Sequence, residues 1–314
     1  MKAHIKYFLV IFFFLLKAKT ALANETIKIG LLAPFSGEFE YIGNSVIGST
    51  KMALKKINNN NIYILPRDTR ADNLETIKKV EELYIEGVRI FIGPVFNRNL
   101  IGLDKYEDAI FLSLTNKVLN NPKNVISSGI NANSQFRAIK KFQKENDLKQ
   151  TLVLIPKKDY KEEIEEAIKY SKLNSKKIFY YDTEPTKLTK QIEKVTRYQI
   201  RKQNLADEIR RIENSEEENK EKKLEILNRR DTLGEIGYDS IIIADFDESL
   251  KSVTTSLLYT DVSPKNVTFI SLNQWFDKTL FKETASQPIS FPSVNKRNFD
   301  KFNKEYEEFY KKPP

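Results

Sequence analysis

From residue 27 onward, short apolar runs alternate with stretches of helical periodicity. The apolar runs over 27–33, 62–65, 89–92, 110–114, 125–130, 152–155, 178–181, 240–244, 267–271 and 288–291 predict strands. Amphipathic stretches such as 74–85 and 160–173 lie between most of them and predict helices. This alternation implies right-handed βαβ units and parallel sheets covered by helices on both faces. Ten strands exceed one comfortable sheet, and 314 residues suit two units. The expected class is therefore α/β: two doubly wound parallel-sheet lobes dividing near 129–131, an N-terminal lobe over 24–130 and a second over 131–314.

One segment interrupts the alternation. Residues 186–233 lack Pro and Gly, and charged side chains make up about half of 187–230. Leu188, Ile192 and Val195, then Leu205, Ile209 and Ile212, keep four-three spacing. A single helix of about 45 residues would reach roughly 67 Å, longer than a lobe. Ser215-Glu216-Glu217-Glu218 matches a capping box, so a second helix is expected to start there. The expected form is an antiparallel hairpin over 187–230, projecting from the second lobe towards a protein partner. A lone solvated helix and a disordered charged stretch are the alternatives.

The N-terminus sets the compartment. Lys2 and Lys6 precede the apolar run 8–16, and Ala21-Leu22-Ala23 follows as a small-x-small cleavage signature. The run is too short to span a bilayer, which needs about 20 residues. Residues 1–23 read as a signal peptide cleaved after Ala23, with an N-terminal anchor helix as the alternative. Cleavage removes four lysines and the only histidine, His4, and lowers the net charge from +9 to about +5. That balance points to no nucleic-acid partner. The chain has no cysteine, and past residue 23 no histidine. Thiolate nucleophiles, imidazole bases and nearly all zinc, copper or iron sites are thereby excluded, and no cofactor is expected. A lipid-modified N-terminal cysteine is excluded as well, so the expected product is a periplasmic protein that is not a lipoprotein.

The stretch IKIGLLAPFSGEFEYIG, followed by ILPRDTRADNLETIKKVEELYIEGVRIFIGP, resembles the type-I periplasmic binding proteins of the leucine-binding kind. The strand–Pro-x-Ser-Gly loop and the GV-x-x-FIGP strand carry that resemblance. The stretches DTLGEIGYDSIIIADFDESL, LLYTDVSPKNVTFISLNQWFD and FYKKPP, with the charged insert, are similar to the branch called penicillin-binding-protein activators. The resemblance implies a non-enzymatic Venus-flytrap fold. Ligands of open parallel sheets bind beyond the carboxyl ends of strands, at loops running into helices. The ligand-binding candidates on those loops are Ser36, Asn97, Arg98, Thr115, Asn116, Tyr160, Asp245 and Asn273.

In the leucine-binding kind, a serine cluster and a Gly-Ala-Thr loop hold the amino-acid carboxylate, and an aromatic closes over the ligand. Tyr160 matches that aromatic by position, and Asn97 and Thr115 fall where donors are wanted. The serine cluster is replaced here by Phe96-Asn97-Arg98-Asn99, and the second loop shrinks to Leu114-Thr115-Asn116. The carboxylate-binding pattern is missing. Tyr160 and Trp275 read equally as lobe-packing aromatics. Ser36-Gly37 reads as a tight turn capping the first helix, or else as cleft lining. Arg98, at an expected helix start, reads either as a bidentate anion contact or as a solvated surface cation.

Two functions remain open. One is a regulator that docks on a cell-wall (peptidoglycan) synthase in the periplasm. The other is the substrate-binding protein of an ABC-type branched-chain amino-acid or related small-solute uptake system, with a permease as partner. The chain stops after a helix expected over 299–310, where this fold normally adds a further strand and helix. If the sequence is truncated, apolar sheet surface is expected to be exposed.

Overall fold

In the computed structural model, residues 26–273, 279–282 and 284–314 are described, and every apolar run named above contains a strand. The expected signal segment and Trp275 lie outside the described residues. The first sheet holds β1 (Ile27–Ala33), β2 (Ile62–Asp68), β3 (Ile90–Ile92), β4 (Ile110–Ser113) and β5 (Val125–Ser127) in the order β2-β1-β3-β4-β5. The second holds β6 (Thr151–Pro156), β7 (Lys177–Tyr181), β8 (Ser240–Ile243), β9 (Thr268–Ser271) and β10 (Ile289–Ser290) in the order β10-β9-β8-β6-β7. All pairings are parallel. The two orders are equivalent, with β6 to β10 standing for β1 to β5. A central parallel strand is covered on both faces and so reads as unbroken apolar sequence. β6 (TLVLIP) and β8 (SIII) are accordingly buried at every position.

The first lobe carries α1 (Glu40–Ile57) and α2 (Asn73–Ile85). The Asp72 carboxylate caps α2 by accepting the Glu75 amide at 2.8 Å. Val80 and Leu83 of α2 pack on Phe91 and Phe111, whose rings stack 4.7 Å apart. In the second lobe, α3 (Ala132–Glu145) and α4 (Lys161–Ser171) cover one sheet face, against Val153, Ile155, Ile242 and Ile270. The other face packs Leu152, Leu154, Ile241, Ile243 and Phe269 against α5 (Pro185–Val195) and α8 (Asp247–Tyr259). Among the described residues no helix is long and apolar enough to cross a membrane.

The insert differs from the expected hairpin over 187–230. Leu188, Ile192 and Val195 of α5 are at most 3% exposed inside the second-lobe core. That helix is the ordinary crossover between β7 and β8, and its stripe faces the sheet rather than a second helix. The rest of the insert comprises α6 (Tyr198–Glu213) and α7 (Lys220–Asn228), zipped by Leu205, Ile212 and Leu227. Ser215 does not cap α7. Its hydroxyl donates back to the Ile212 carbonyl at 2.9 Å, and Asn219 occupies the cap position. Arg201, 4% exposed, anchors α6 to the lobe: Nε donates to the Thr196 carbonyl at 3.1 Å and Nη1 to Thr232 Oγ1 at 2.8 Å. Its Nη2 donates to the Thr260 carbonyl at the end of α8.

The last helix, α9 (Lys296–Tyr310), corrects the assignment of the whole of 131–314 to the second lobe, because Lys301–Pro314 groups with the first. The cause is Tyr306, 1% exposed, whose ring fits over Gly48 of α1. A Cβ at Gly48 would lie 2.5 Å from the Tyr306 hydroxyl, so only glycine admits the ring. Tyr310 Oη donates to the Gly48 carbonyl at 3.1 Å, and Lys56 pairs with Glu305 at 2.5 Å. Truncating a buried aromatic of this size costs about 3 kcal/mol. Tyr306→Ala is therefore expected to lower the unfolding free energy in urea by about that amount, whereas a negligible change would show that α9 adds nothing to the first lobe.

Candidate functional site

Parallel strands end in loops whose polar groups need partners. At the carboxyl end of β8 stands Asp245, fully buried. Its Oδ1 accepts from Lys158 Nζ at 2.7 Å, Tyr160 Oη at 2.8 Å and the Phe246 amide at 2.8 Å. Its Oδ2 accepts from Tyr181 Oη at 2.6 Å and Ser249 Oγ at 2.6 Å. One carboxylate thus ties together the ends of β6, β7 and β8 and the first turn of α8. A carboxylate offers about four lone-pair sites. Five donors among the described residues saturate it. Burial alone would raise the Asp245 pKa, but the bonds from Lys158, Ser249, Tyr181 and the Phe246 amide hold it below the ordinary aspartate value of 3.8. Burial, together with the Asp245 charge and hydrogen bond, pushes the hydroxyls of Tyr160 and Tyr181 the opposite way, well above the usual tyrosine range.

The first lobe repeats the device with a smaller set. Asp68, at the end of β2, accepts Ser36 Oγ at 2.5 Å, the Phe35 amide at 2.8 Å and the Arg70 amide at 2.9 Å. Partial burial would raise its pKa, and these three bonds hold it low. Ser36 therefore fixes the loop after β1 through Asp68 and does not cap α1. The residue before that helix is Phe39, which makes no side-chain cap bond. Gly37 turns the chain at φ +81°.

Arg98 sits on a single 3-10 turn, Asn97–Leu100, rather than at the start of a longer helix. Its Nε donates to the Ala71 carbonyl at 3.2 Å, and its guanidinium lies 5.1 Å from the Phe96 ring and 5.9 Å from Phe39. The two rings meet edge to face at 4.8 Å. Phe39, Phe96 and Arg98 form a stack that joins the loops after β1 and β3. Asn97 Nδ2 donates to Asn121 Oδ1 at 3.1 Å. Thr115 is 5% exposed, and its amide donates to Ser113 Oγ at 3.3 Å. Asn116 is exposed. In the second lobe the Asn273 amide donates to Gln135 Oε1 at 2.7 Å, joining the end of β9 to α3. The structure thus gathers Tyr160 and Asp245 in one cluster, Ser36 in a second and Arg98 in a third.

Sequence reasoning passed over Lys158, Tyr181, Ser249 and Asp68. Each stands at a strand end or in a first helical turn; Ser249 pairs with Asp245 four positions away, but the others pair across 32 to 87 positions and leave no local signal. The charges of the insert pair with one another. Arg211 pairs with Glu208 at 2.8 Å and, across the turn, with Glu217 at 3.0 Å, and Glu217 also holds Lys223.

Two doubly wound lobes with equivalent strand orders define a type-I periplasmic-binding-protein fold. In keeping with this, the chain resembles a branched-chain amino-acid ABC transporter periplasmic ligand-binding protein from Burkholderia xenovorans. That match has 10% identity and a TM-score of 0.57, covering 92% of this chain and 73% of that one. The chain belongs to the LppC family: the family model, described as LppC putative lipoprotein, matches residues 15–227. The C-domain of LpoA from Haemophilus influenzae, described as a regulator of PBP1A, is similar in fold at 15% identity with a TM-score of 0.57, over 88% of this chain and 78% of that one. Full-length LpoA from the same organism matches at 15% identity with a TM-score of 0.58, over 90% of this chain. The chain spans 46% of that protein's length. No curated protein matches it.

The Asp245 cluster yields a pH prediction. A depressed folded-state pKa contributes stability above the unfolded value, and that stability is lost as the pH falls. Asp245→Asn removes the charge and leaves several buried donors short of an acceptor, at a cost of about 2–4 kcal/mol near pH 7. Thermal melts should therefore show a large gap between parent and variant at pH 7 that narrows below about pH 4. A gap unchanged at low pH would show that Asp245 is not ionised in the fold.

Proposed function

We propose that this protein is a non-enzymatic, extracytoplasmic regulator that acts by contact with a peptidoglycan synthase. The observation that carries the reading is the internal commitment of the strand-end groups. Asp245 is saturated by five donors, Ser36 is spent on Asp68, and Arg98 lies on Phe39 and Phe96 with its Nε on a backbone carbonyl. An amino acid brings an ammonium and a carboxylate, and each needs an uncommitted partner that desolvates cheaply. Membership of the LppC family and the similarity to the LpoA C-domain agree with this reading. Export through a cleaved leader is part of it. The family is described as a putative lipoprotein, and the 314 residues contain no cysteine.

The α6–α7 hairpin is the partner-contacting element in this reading. It encloses its own small apolar cluster, apart from the main cores of the lobe. Ile226 on α7 is 49% exposed beside a face of paired charges. The second reading, a substrate-binding protein of an amino-acid or small-solute uptake system served by a permease, draws on the similarity to the Burkholderia protein.

One experiment separates the two. The Arg201 carbonyl accepts the Leu233 amide at 3.0 Å, so residues 205–231 leave the lobe and return at adjacent points. Replacing them with a short Gly/Ser linker should preserve cooperative melting, while capture of a purified bifunctional synthase and the effect on its polymerisation rate fall at least tenfold. In parallel, a thermal-shift screen with leucine-like amino acids should give no shift; a ligand at 100 times its dissociation constant would add about 2.7 kcal/mol. A clear shift with an amino acid, or no synthase capture by the parent chain, would overturn the regulatory reading; a synthase response that survives hairpin removal would overturn the hairpin as its contact.

A further inference from the structure

The sheet of the second lobe has a groove at the end opposite Asp245. It opens where Gln150, Lys176, Asp239 and Val267 lead into β6, β7, β8 and β9, and its volume is about 840 Å³. Small-molecule sites span about 300–1,000 Å³, so this one has room for a short peptide and not merely for a single amino acid. The segment that returns from α7 to β8 supplies residues 229–232 and 234–239 to the lining.

One lining group stands apart from the exposed polar residues around it. Arg201 is 4% exposed, and it forms no ion pair among the described residues. Its hydrogen bonds run to the carbonyls of Thr196 and Thr260 and to Thr232 Oγ1, all uncharged acceptors. Asp261 is tied to it only through Thr232, whose hydroxyl donates to Asp261 Oδ2 at 2.5 Å. A guanidinium has five N–H donors, so two are left over. A buried charge that lacks a directly bonded counter-charge carries a desolvation cost that an arriving anion would offset. Burial accordingly draws the Arg201 pKa below the usual arginine value, against the pull of Asp261.

The rest of the lining fits a ligand with charge at both ends. Lys176 and Arg230 are exposed cations on the groove, and Arg230 has no ion pair among the described residues. Asp239 is occupied by the amides of Lys149 and Gln150 and by the Ser240 hydroxyl. Asp231 and Glu235 are exposed and make no ion pair among the described residues. A carboxylate matches the planar fork of a guanidinium, and free carboxylates suit an ammonium.

We propose that this groove binds a short unblocked peptide, its C-terminal carboxylate on Arg201 and its ammonium towards Asp231 and Glu235. The site lies apart from the strand-end cluster and stands whichever reading of function holds. The probe is trialanine with free ends, titrated into the isotope-labelled chain. The Nε–H resonance of Arg201 and the amide resonances of 229–239 are followed by NMR. Saturable shifts of both sets are expected. Trialanine amide, without the carboxylate, N-acetyltrialanine, without the ammonium, and free alanine, too short for the groove, should each bind at least tenfold more weakly. Arg201→Lys, which keeps the charge and loses the fork, should bind trialanine at least tenfold more weakly while still melting cooperatively. Where that variant does not fold, the Arg201 resonance of the parent chain decides. Absence of saturable shifts, shifts that spare the Arg201 resonance, or equal binding by any of the three controls would overturn the inference. So would full binding by a folded Arg201→Lys.

Discussion

A carboxylate buried at the end of a parallel strand must collect donors, and the donors available to Asp245 come from several neighbouring segments. Lys158 and Tyr160 follow β6, Tyr181 ends β7, and Ser249 sits in α8. The desolvation of one charge is offset only when all of these arrive together. The loops of the second lobe are therefore positioned by a single buried ion rather than by their own turn chemistry. Tyr160 also places its ring edge-on to Phe246, 5.7 Å between centroids, so the polar cluster merges into the apolar core beneath it.

The consequence is a fold of the solute-binding kind whose strand-end loops are tied together by their own side chains. Asp68 does for the first lobe what Asp245 does for the second, tying the loop after β1 to the end of β2. The stack of Phe39, Phe96 and Arg98 joins the loops after β1 and β3. A fold shared with solute-binding proteins does not by itself carry their function. The α6–α7 hairpin closes on its own apolar cluster and is anchored by the buried guanidinium of Arg201.

The strands were legible because buried parallel strands write themselves as apolar runs, and each run of that kind contains one. The insert was legible in composition but not in its division. Leu188, Ile192 and Val195 have the same spacing as Leu205, Ile209 and Ile212, and only the tertiary fold sends the first set to the sheet and the second to α7. Tyr160 and Asp245 could be named from their places after strands. Their mutual bond could not, because it joins positions 85 apart. The seat of α9 was hidden for the same reason: Tyr306 meets its partner on α1 across 262 positions, through a glycine that reads as unremarkable inside a helix.

The central claim is that Asp245 is an ionised hub already filled by the protein's own donors. The direct measurement is the ionisation of its side-chain carboxyl, followed by carbon-detected NMR as the pH is lowered through the acid range. The account predicts a midpoint below the ordinary aspartate value of 3.8, unchanged when free leucine is added. A midpoint at or above that value, or one that moves on adding the amino acid, would contradict it.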